Sequence, residues 1–219
     1  MKERRVLVIG DLHEPFTLQG YRAFCKHMYK EYKCNMVIFI GDIIDNNYSS
    51  FHETDPDGHG GAQELEKAKD HIKQWYSDFP NALVTLGNHD RIPNRKAFNA
   101  GLSKQWVRTI GEVLETPNWT YRVSFDIDGV HYTHGEGRIA QGRMTHDITS
   151  VVQGHYHTDS KILFHDGKEI RLWAMQVGCG FNRASYAGQY AKNNKSQSYN
   201  VGLVLRDGKL PIIEPYDII

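Results

Sequence analysis

The 219-residue sequence has no excess charge of either sign, with 26 Lys and Arg against 26 Asp and Glu. That balance excludes a polycation that coats nucleic acid over its whole surface, and leaves room only for a local basic patch. Cysteine is scarce: Cys25, Cys34 and Cys179, with no Cys-x-x-Cys spacing. An odd, unpaired set argues against a disulfide framework and for a reducing compartment. Long hydrophobic runs are missing as well. The longest, Met36–Ile40, falls far short of the roughly 20 residues that span a bilayer. The run Val6–Ile9 after the basic N-terminus is too short for a secretory signal. A soluble, cytoplasmic chain without a membrane partner is therefore expected. There is no repeat, low-complexity tract or linker, so residues 1–219 are expected to form a single domain.

What is present is globular in kind, with 40% hydrophobic residues and 12 Tyr, 9 Phe and 4 Trp. Short β-branched runs at Val6–Ile9, Met36–Ile40 and Ala82–Leu86 read as buried strands. Helical spacing falls between them, over Leu18–Lys33 and Ala62–Phe79, and again over Asn94–Ile110 with a break near Gly101. This alternation predicts a largely parallel sheet with helices outside. The second half reads differently. Three Asp-Gly pairs, at Asp128, Asp166 and Asp207, are hairpin signals and predict a second, more antiparallel sheet. Trp119–Asp126 is read as one arm of the first hairpin. Two sheets packed face to face are the expected arrangement. Asn46–Gly61 and Gly135–Gly142 read as loops.

Twelve histidines are many for this length, and several stand where chemistry is expected. Each apolar run ends in a small residue followed by metal-ligand types: Gly10-Asp11-Leu12-His13, Gly41-Asp42-Ile43-Ile44-Asp45, Gly87-Asn88-His89-Asp90, His134-Gly135 and Gly154-His155-Tyr156-His157. In α/β sheets, ligands bind beyond the carboxyl ends of the strands. Asp11, His13, Asp42, Asn88, His134, His155 and His157 give seven oxygen or imidazole donors. One tetrahedral zinc would leave buried polar groups unused. Two metals about 3.5–4 Å apart use all seven if one carboxylate bridges. Mixed oxygen and nitrogen ligation suits Mn²⁺ first, with Fe, Zn²⁺ or Ni²⁺ as alternatives.

The ordered series DxH, GDxxD, GNHD, H, GHxH resembles the calcineurin-like metallophosphoesterase superfamily. The resemblance runs from Asp11 to His157 and implies a four-layer αββα sandwich: two mixed β-sheets face to face, helices outside. It implies that Asp11, His13 and His157 hold one divalent cation, that Asn88, His134 and His155 hold the other, and that Asp42 bridges them. A hydroxide between the metals would then attack phosphorus in line. His89 would protonate the leaving oxygen as a catalytic residue, Asp90 would orient His89, and Asp45 would support a ligand. Glycine usually follows DxH and arginine usually follows GDxxD in the protein-phosphatase branch; here Glu14 and Asn46 stand there. The pattern is closer to the phosphodiesterase and nuclease branches, and to small stand-alone phage or bacterial enzymes, which would place it in a host cytoplasm if phage-encoded. The expected substrate is a phosphoester, with DNA or a nucleotide among the candidates. A phosphomonoesterase on the same site and a non-catalytic metal-binding module are the alternatives.

Other residues carry weaker expectations. Arg91, Arg138 and Arg143 follow ligands in sequence and are candidate phosphate contacts, as is His52 in the Asn46–Gly61 loop. His27, His71, His131, His146 and His165 read as surface or structural. Cys179 fails as a nucleophile, because the cysteine-phosphatase spacing needs arginine where Ser185 stands. A mononuclear iron site from His157, Asp159 and His165 would leave Asp11, Asp42 and Asn88 without roles.

Overall fold

The computed structural model describes residues 2–51, 54–191 and 196–217. Its first sheet is built on β1 (Val6–Ile9), β2 (Met36–Phe39), β3 (Leu83–Thr85) and β4 (Thr120–Arg122), all parallel to one another. The strands β1, β2 and β3 are apolar on both sides because both faces are covered, whereas β4, at the sheet edge, is largely exposed. Leu7, Ile9, Val37, Phe39 and Val84 pack on the helices α1 (Tyr21–Glu31) and α2 (Gly61–Asp78). Val6, Val8, Ile38 and Ile40 face the second sheet. Helix α2 buries Glu64, Ala68, Ile72 and Trp75, one stripe at helical spacing. Helix α1 starts later than its apolar pattern because Gly20 takes a left-handed φ of 87°, and Leu18 N–H is spent on the Gly180 carbonyl. The predicted break near Gly101 separates α3 (Ile92–Asn99) from a 3₁₀ turn at Lys104–Trp106 and from α4 (Ile110–Leu114).

The second sheet has the order β5 (Ser124–Ile127), β6 (Val130–Thr133), β7 (Ser150–Gln153), β9 (Arg171–Gln176), β8 (Lys161–Asp166). Its inner face contributes Phe125, Tyr132, Val152, Trp173 and Met175 to the core between the sheets. Its outer face carries α5 (Ala140–Asp147), which packs Ala140 and Met144 on Val151 and Ala174. The layers are therefore helix, sheet, sheet, helix, as expected.

Three details differ from the sequence reading. The expected strand Trp119–Asp126 is divided: Thr120–Arg122 extends the first sheet, and Ser124–Ile127 opens the second. Val123, 63% exposed, lies at the crossing, where a side chain can belong to neither sheet. The third Asp-Gly hairpin, β10 (Asn200–Leu205) with β11 (Leu210–Pro215), joins the first sheet, with β10 antiparallel to β1. All six residues of β10 are buried, which calls for a position inside a covered sheet. The turn dipeptide sets the hairpin and not the sheet it joins. Finally, the loop expected over Gly135–Gly142 gives way at Ala140 to α5.

Candidate metal centre

The exits of β1, β2, β3, β6 and β7 meet at one end of the two sheets. Three residues of these exits adopt left-handed backbone although they are not glycine: His13 (φ 51°), Asp42 (φ 46°) and His155 (φ 70°). Such conformations cost of order 1–3 kcal/mol each and persist where the surroundings over-determine them. The exits are laced together by backbone hydrogen bonds: His13 N–H to Asp42 O at 2.9 Å, Glu14 N–H to Ile43 O at 3.0 Å and Gly154 N–H to His134 O at 3.1 Å. Two glycines make the close approach feasible. A Cβ on Gly87 would lie 2.0 Å from Asp42 Oδ1, and one on Gly41, at φ 98°, would lie 2.6 Å from His134 Nδ1.

All seven expected donors come together. His157 Nε2 lies 3.0 Å from Asp11 Oδ2, and Asp11, His13 and His157 offer ligand atoms within 4.8 Å of one another. Asp42, His134 and His155 do the same. Asn88 joins that second group, its Oδ1 3.0 Å from His134 Nε2. His134 Nε2 is also 3.2 Å from Asp42 Oδ2 and 3.1 Å from His155 Nδ1. Asp42 reaches toward both groups, its Oδ2 also 3.7 Å from His13 Nε2. His89 forms a third cluster with His13 and Asp42.

The chemistry of this set fits divalent cations. His134 Nδ1 donates to the Ile40 carbonyl at 3.0 Å, which turns Nε2 toward Asn88, Asp42 and His155. Asp11 Oδ1 and His13 Nε2 are buried with no hydrogen-bond partner among the described residues. An unsatisfied buried polar atom costs about 1–3 kcal/mol, and a cation at these positions would satisfy them. Burial acts to raise the Asp42 carboxyl, but His134 and His89 outweigh it and hold it well below the carboxylate range. Burial likewise opposes charge on His134, and Asp42 and Asp11 overcome it, pushing the imidazole up to about 10. His13 is held well below its ordinary value, first by burial and then by His89.

The neighbours of the donor set divide into two tasks. Asp45 sits 2.6 Å from His13 Nδ1 through Oδ1, and its backbone carbonyl accepts from His89 Nδ1 at 2.5 Å. Burial raises the Asp45 carboxyl to about 7. The sequence reading has Asp90 orient His89. In the structure its carboxylate turns to backbone instead, accepting from Gly87 N–H at 2.9 Å and from Ile43 and Ile44 N–H at 3.1 and 3.4 Å. It thereby ties the β3 exit to the β2 exit. His89 is 7% exposed. Burial opposes its charge, yet Asp42 and Asp45 raise its pKa above the ordinary value.

Two of the candidate phosphate contacts, Arg91 and Arg143, converge on Glu136. Arg91 donates to the Gly87 carbonyl at 3.0 Å and pairs with Glu136. Arg143 contacts Gln153 Oε1 and the Glu136 carbonyl at 3.3 and 3.1 Å. Arg138 is exposed. His52 lies outside the described residues. Sequence reasoning passed over Phe181, whose ring backs His13 at 4.7 Å and His157 at 5.8 Å. It also passed over the side chain of Glu14, which is buried and accepts from Trp75 Nε1 at 2.7 Å. Neither residue carries a local pattern, since both act through partners distant in sequence.

An αββα sandwich that gathers carboxylates, an amide and imidazoles at the strand exits of both sheets defines a class, the metal-dependent phosphoester hydrolases. A family model for calcineurin-like phosphoesterases matches residues 4–205, and the chain belongs to that family. The fold agrees with a metallophosphoesterase from Sphaerobacter thermophilus at 11% identity, over 99% of this chain and 89% of that one, with a TM-score of 0.50. Further similar structures are vacuolar protein sorting 29 from Cryptosporidium parvum (14% identity, 99% of both chains, TM-score 0.45) and the nuclease MPE of Pseudomonas putida (11% identity, 82% of this chain and 76% of that one, TM-score 0.42). No curated protein matches. Among the described residues, no helix is long and apolar enough to cross a membrane.

Proposed function

We propose that the chain is a phosphodiesterase acting on nucleic acid or a nucleotide-derived diester, with residues 1–219 as one domain. Asp11, His13 and His157 would hold one divalent cation, Asn88, His134 and His155 a second, and Asp42 both; manganese suits the mixed donors best. When bound, such a pair lowers the pKa of coordinated water and neutralises charge on a phosphoryl group in flight. The chain's own residues do the rest. His89 uses Nδ1 on the Asp45 carbonyl, which leaves Nε2 to carry a proton to the leaving oxygen. A positioned imidazole of this kind serves as general acid when its proton lies within reach of the leaving oxygen. Asp45 orients both His13 and His89, and Asp90 holds the two strand exits at a fixed separation.

The observation that carries the preference for a diester is the engagement of the polar side chains around the donors. Asn46 Nδ2 is committed to the His89 carbonyl at 3.0 Å, and Arg91 is committed to Glu136. A monoester dianion asks for an additional cationic clamp, whereas a diester carries one charge and asks for less. The Mn²⁺-loaded protein should have a higher kcat/KM for bis(p-nitrophenyl) phosphate than for p-nitrophenyl phosphate. The reverse order would make it a phosphomonoesterase. No turnover of either with Mn²⁺, Fe²⁺, Zn²⁺ or Ni²⁺ would make it a non-catalytic module.

A further inference from the structure

The zero net charge conceals a local asymmetry. From Arg91 to Arg108 the chain has five basic residues and no acidic one. Two of the five are engaged locally: Arg91 with Glu136, and Arg108 with the Glu112 carbonyl at 2.7 Å. The others are exposed. Arg95 and Lys96 lie over the ring of Phe51, 4.6 and 5.6 Å from its centroid. Lys104 opens the 3₁₀ turn that packs against α3.

Large rings are exposed on the same segments. Trp106 is 84% exposed, Phe98 75%, Tyr48 61% and Phe51 52%. A tryptophan so open to water is uncommon, and the turn that carries it packs against α3, the helix that bears Arg95, Lys96 and Phe98. The location is equally specific. The segment bearing Phe51 leaves Asp45, and α3 leaves the His89–Asp90 turn. The two segments are joined at their roots by the hydrogen bond from Asn46 Nδ2 to the His89 carbonyl and further out by the Phe51–Arg95 stack. This surface begins at the candidate metal centre and extends outward along α3 for about 12 Å.

Cations alternating with flat, solvent-facing rings match one chemistry, a chain of phosphates whose bases are free to stack. Every base offers a π-face, so such a surface is sequence-tolerant. In a duplex those faces are covered by neighbouring base pairs, and only an unpaired strand presents them. An acidic peptide would engage the cations and leave the rings unused.

We propose that Phe51, Phe98 and Trp106, interleaved with Arg95, Lys96 and Lys104, form a platform that binds single-stranded polynucleotide and feeds its phosphodiester backbone to the metal centre. This rests on the phosphodiesterase reading and specifies its substrate. The test is fluorescence anisotropy of the full chain with a labelled 20-nucleotide DNA strand, in EDTA so that nothing is cut, beside the same sequence as a duplex. The single strand should bind at least about tenfold more tightly than the duplex. Trp106→Ala and Phe98→Ala should each weaken it about tenfold without changing the salt dependence. Arg95→Gln with Lys96→Gln should reduce the slope of log K against log salt by about 1.4, roughly 0.7 for each phosphate no longer neutralised. All four side chains are exposed, and an unchanged melting temperature would show that the variants fold. Equal or tighter binding of the duplex, or indifference to both ring removals, would overturn the platform. So would a dimer that Trp106→Ala dissolves, because the rings would then be covered by a second copy. Hydrolysis of bis(p-nitrophenyl) phosphate with Mn²⁺ separates the two claims. Turnover without strand binding refutes the platform alone, and strand binding without turnover refutes the catalytic reading alone.

Discussion

His13 Nδ1 lies 2.6 Å from Asp45 Oδ1, and both side chains are 1% exposed. The contact joins the exits of two neighbouring strands and fixes the imidazole so that Nε2, buried and without a partner among the described residues, faces the donor set. Carboxylate behind histidine is a common way to orient a metal ligand and raise its basicity.

Asp45→Asn keeps the size of the side chain and removes its charge. Manganese affinity, read by isothermal titration calorimetry, should fall about 10–100-fold while the protein stays folded. Unchanged affinity would mean that His13 needs no such support.

His89→Ala should lower turnover by about 10²–10⁴-fold for a substrate with a poor leaving group. The loss should be much smaller for one that leaves as nitrophenolate, because an acidic leaving group needs no proton. A series of aryl diesters of increasing leaving-group pKa would show this as a steeper dependence in the variant. Parallel dependences would remove His89 from the proton-transfer role.

Gly87→Ala should disable the site, since its Cβ would fall 2.0 Å from Asp42 Oδ1 and 2.4 Å from Asp42 N, and backbone cannot swing aside. Gly60→Ala is the matched control, with nothing within 4 Å and an extended backbone. Metal binding and melting temperature should drop in the first and hold in the second.

His71 offers a pH dependence away from the metal centre. Its Nδ1 lies 2.6 Å from Glu14 Oε2, and this hydrogen bond raises its pKa above the ordinary value, burial opposing it. A raised folded-state value means that the charged form stabilises. The contribution is full below about pH 6.5, the unfolded value, and is lost as pH rises through the folded value. The melting-temperature difference between the native chain and His71→Gln should be largest in mild acid and shrink toward pH 9. A difference that grows with pH would contradict the pairing.

The first three strands were legible because the apolar runs Val6–Ile9, Met36–Ile40 and Ala82–Leu86 each stop at a glycine followed by Asp or Asn, and strand exits are where such residues collect; the second and third strands end one residue short of their runs, at Phe39 and Thr85. The gathering of Asp11, His13, Asp42, Asn88, His134, His155 and His157 at one end of the sheets was legible for the same reason. What local pattern could not carry was long-range partnership. Asp90 reads as a neighbour of His89, but it bonds to Ile43 and Ile44 N–H, 47 and 46 residues away. The strand break at Val123 and the placement of Asn200–Leu205 beside β1 depend on which sheet has room. The division of Arg91 from Arg95 and Lys96 depends on where Glu136 and Phe51 come to rest.

The central claim is that this donor set makes a hydrolase through bound divalent cations. The most direct measurement is the rate of bis(p-nitrophenyl) phosphate hydrolysis by EDTA-stripped protein as Mn²⁺ is added back, with Asp42→Asn beside the native chain. Turnover should be absent in the stripped protein, return to a plateau near two ions per chain, and fail to return in Asp42→Asn. A folded native chain that takes up manganese and still hydrolyses nothing, or one that hydrolyses equally well after stripping, would contradict it.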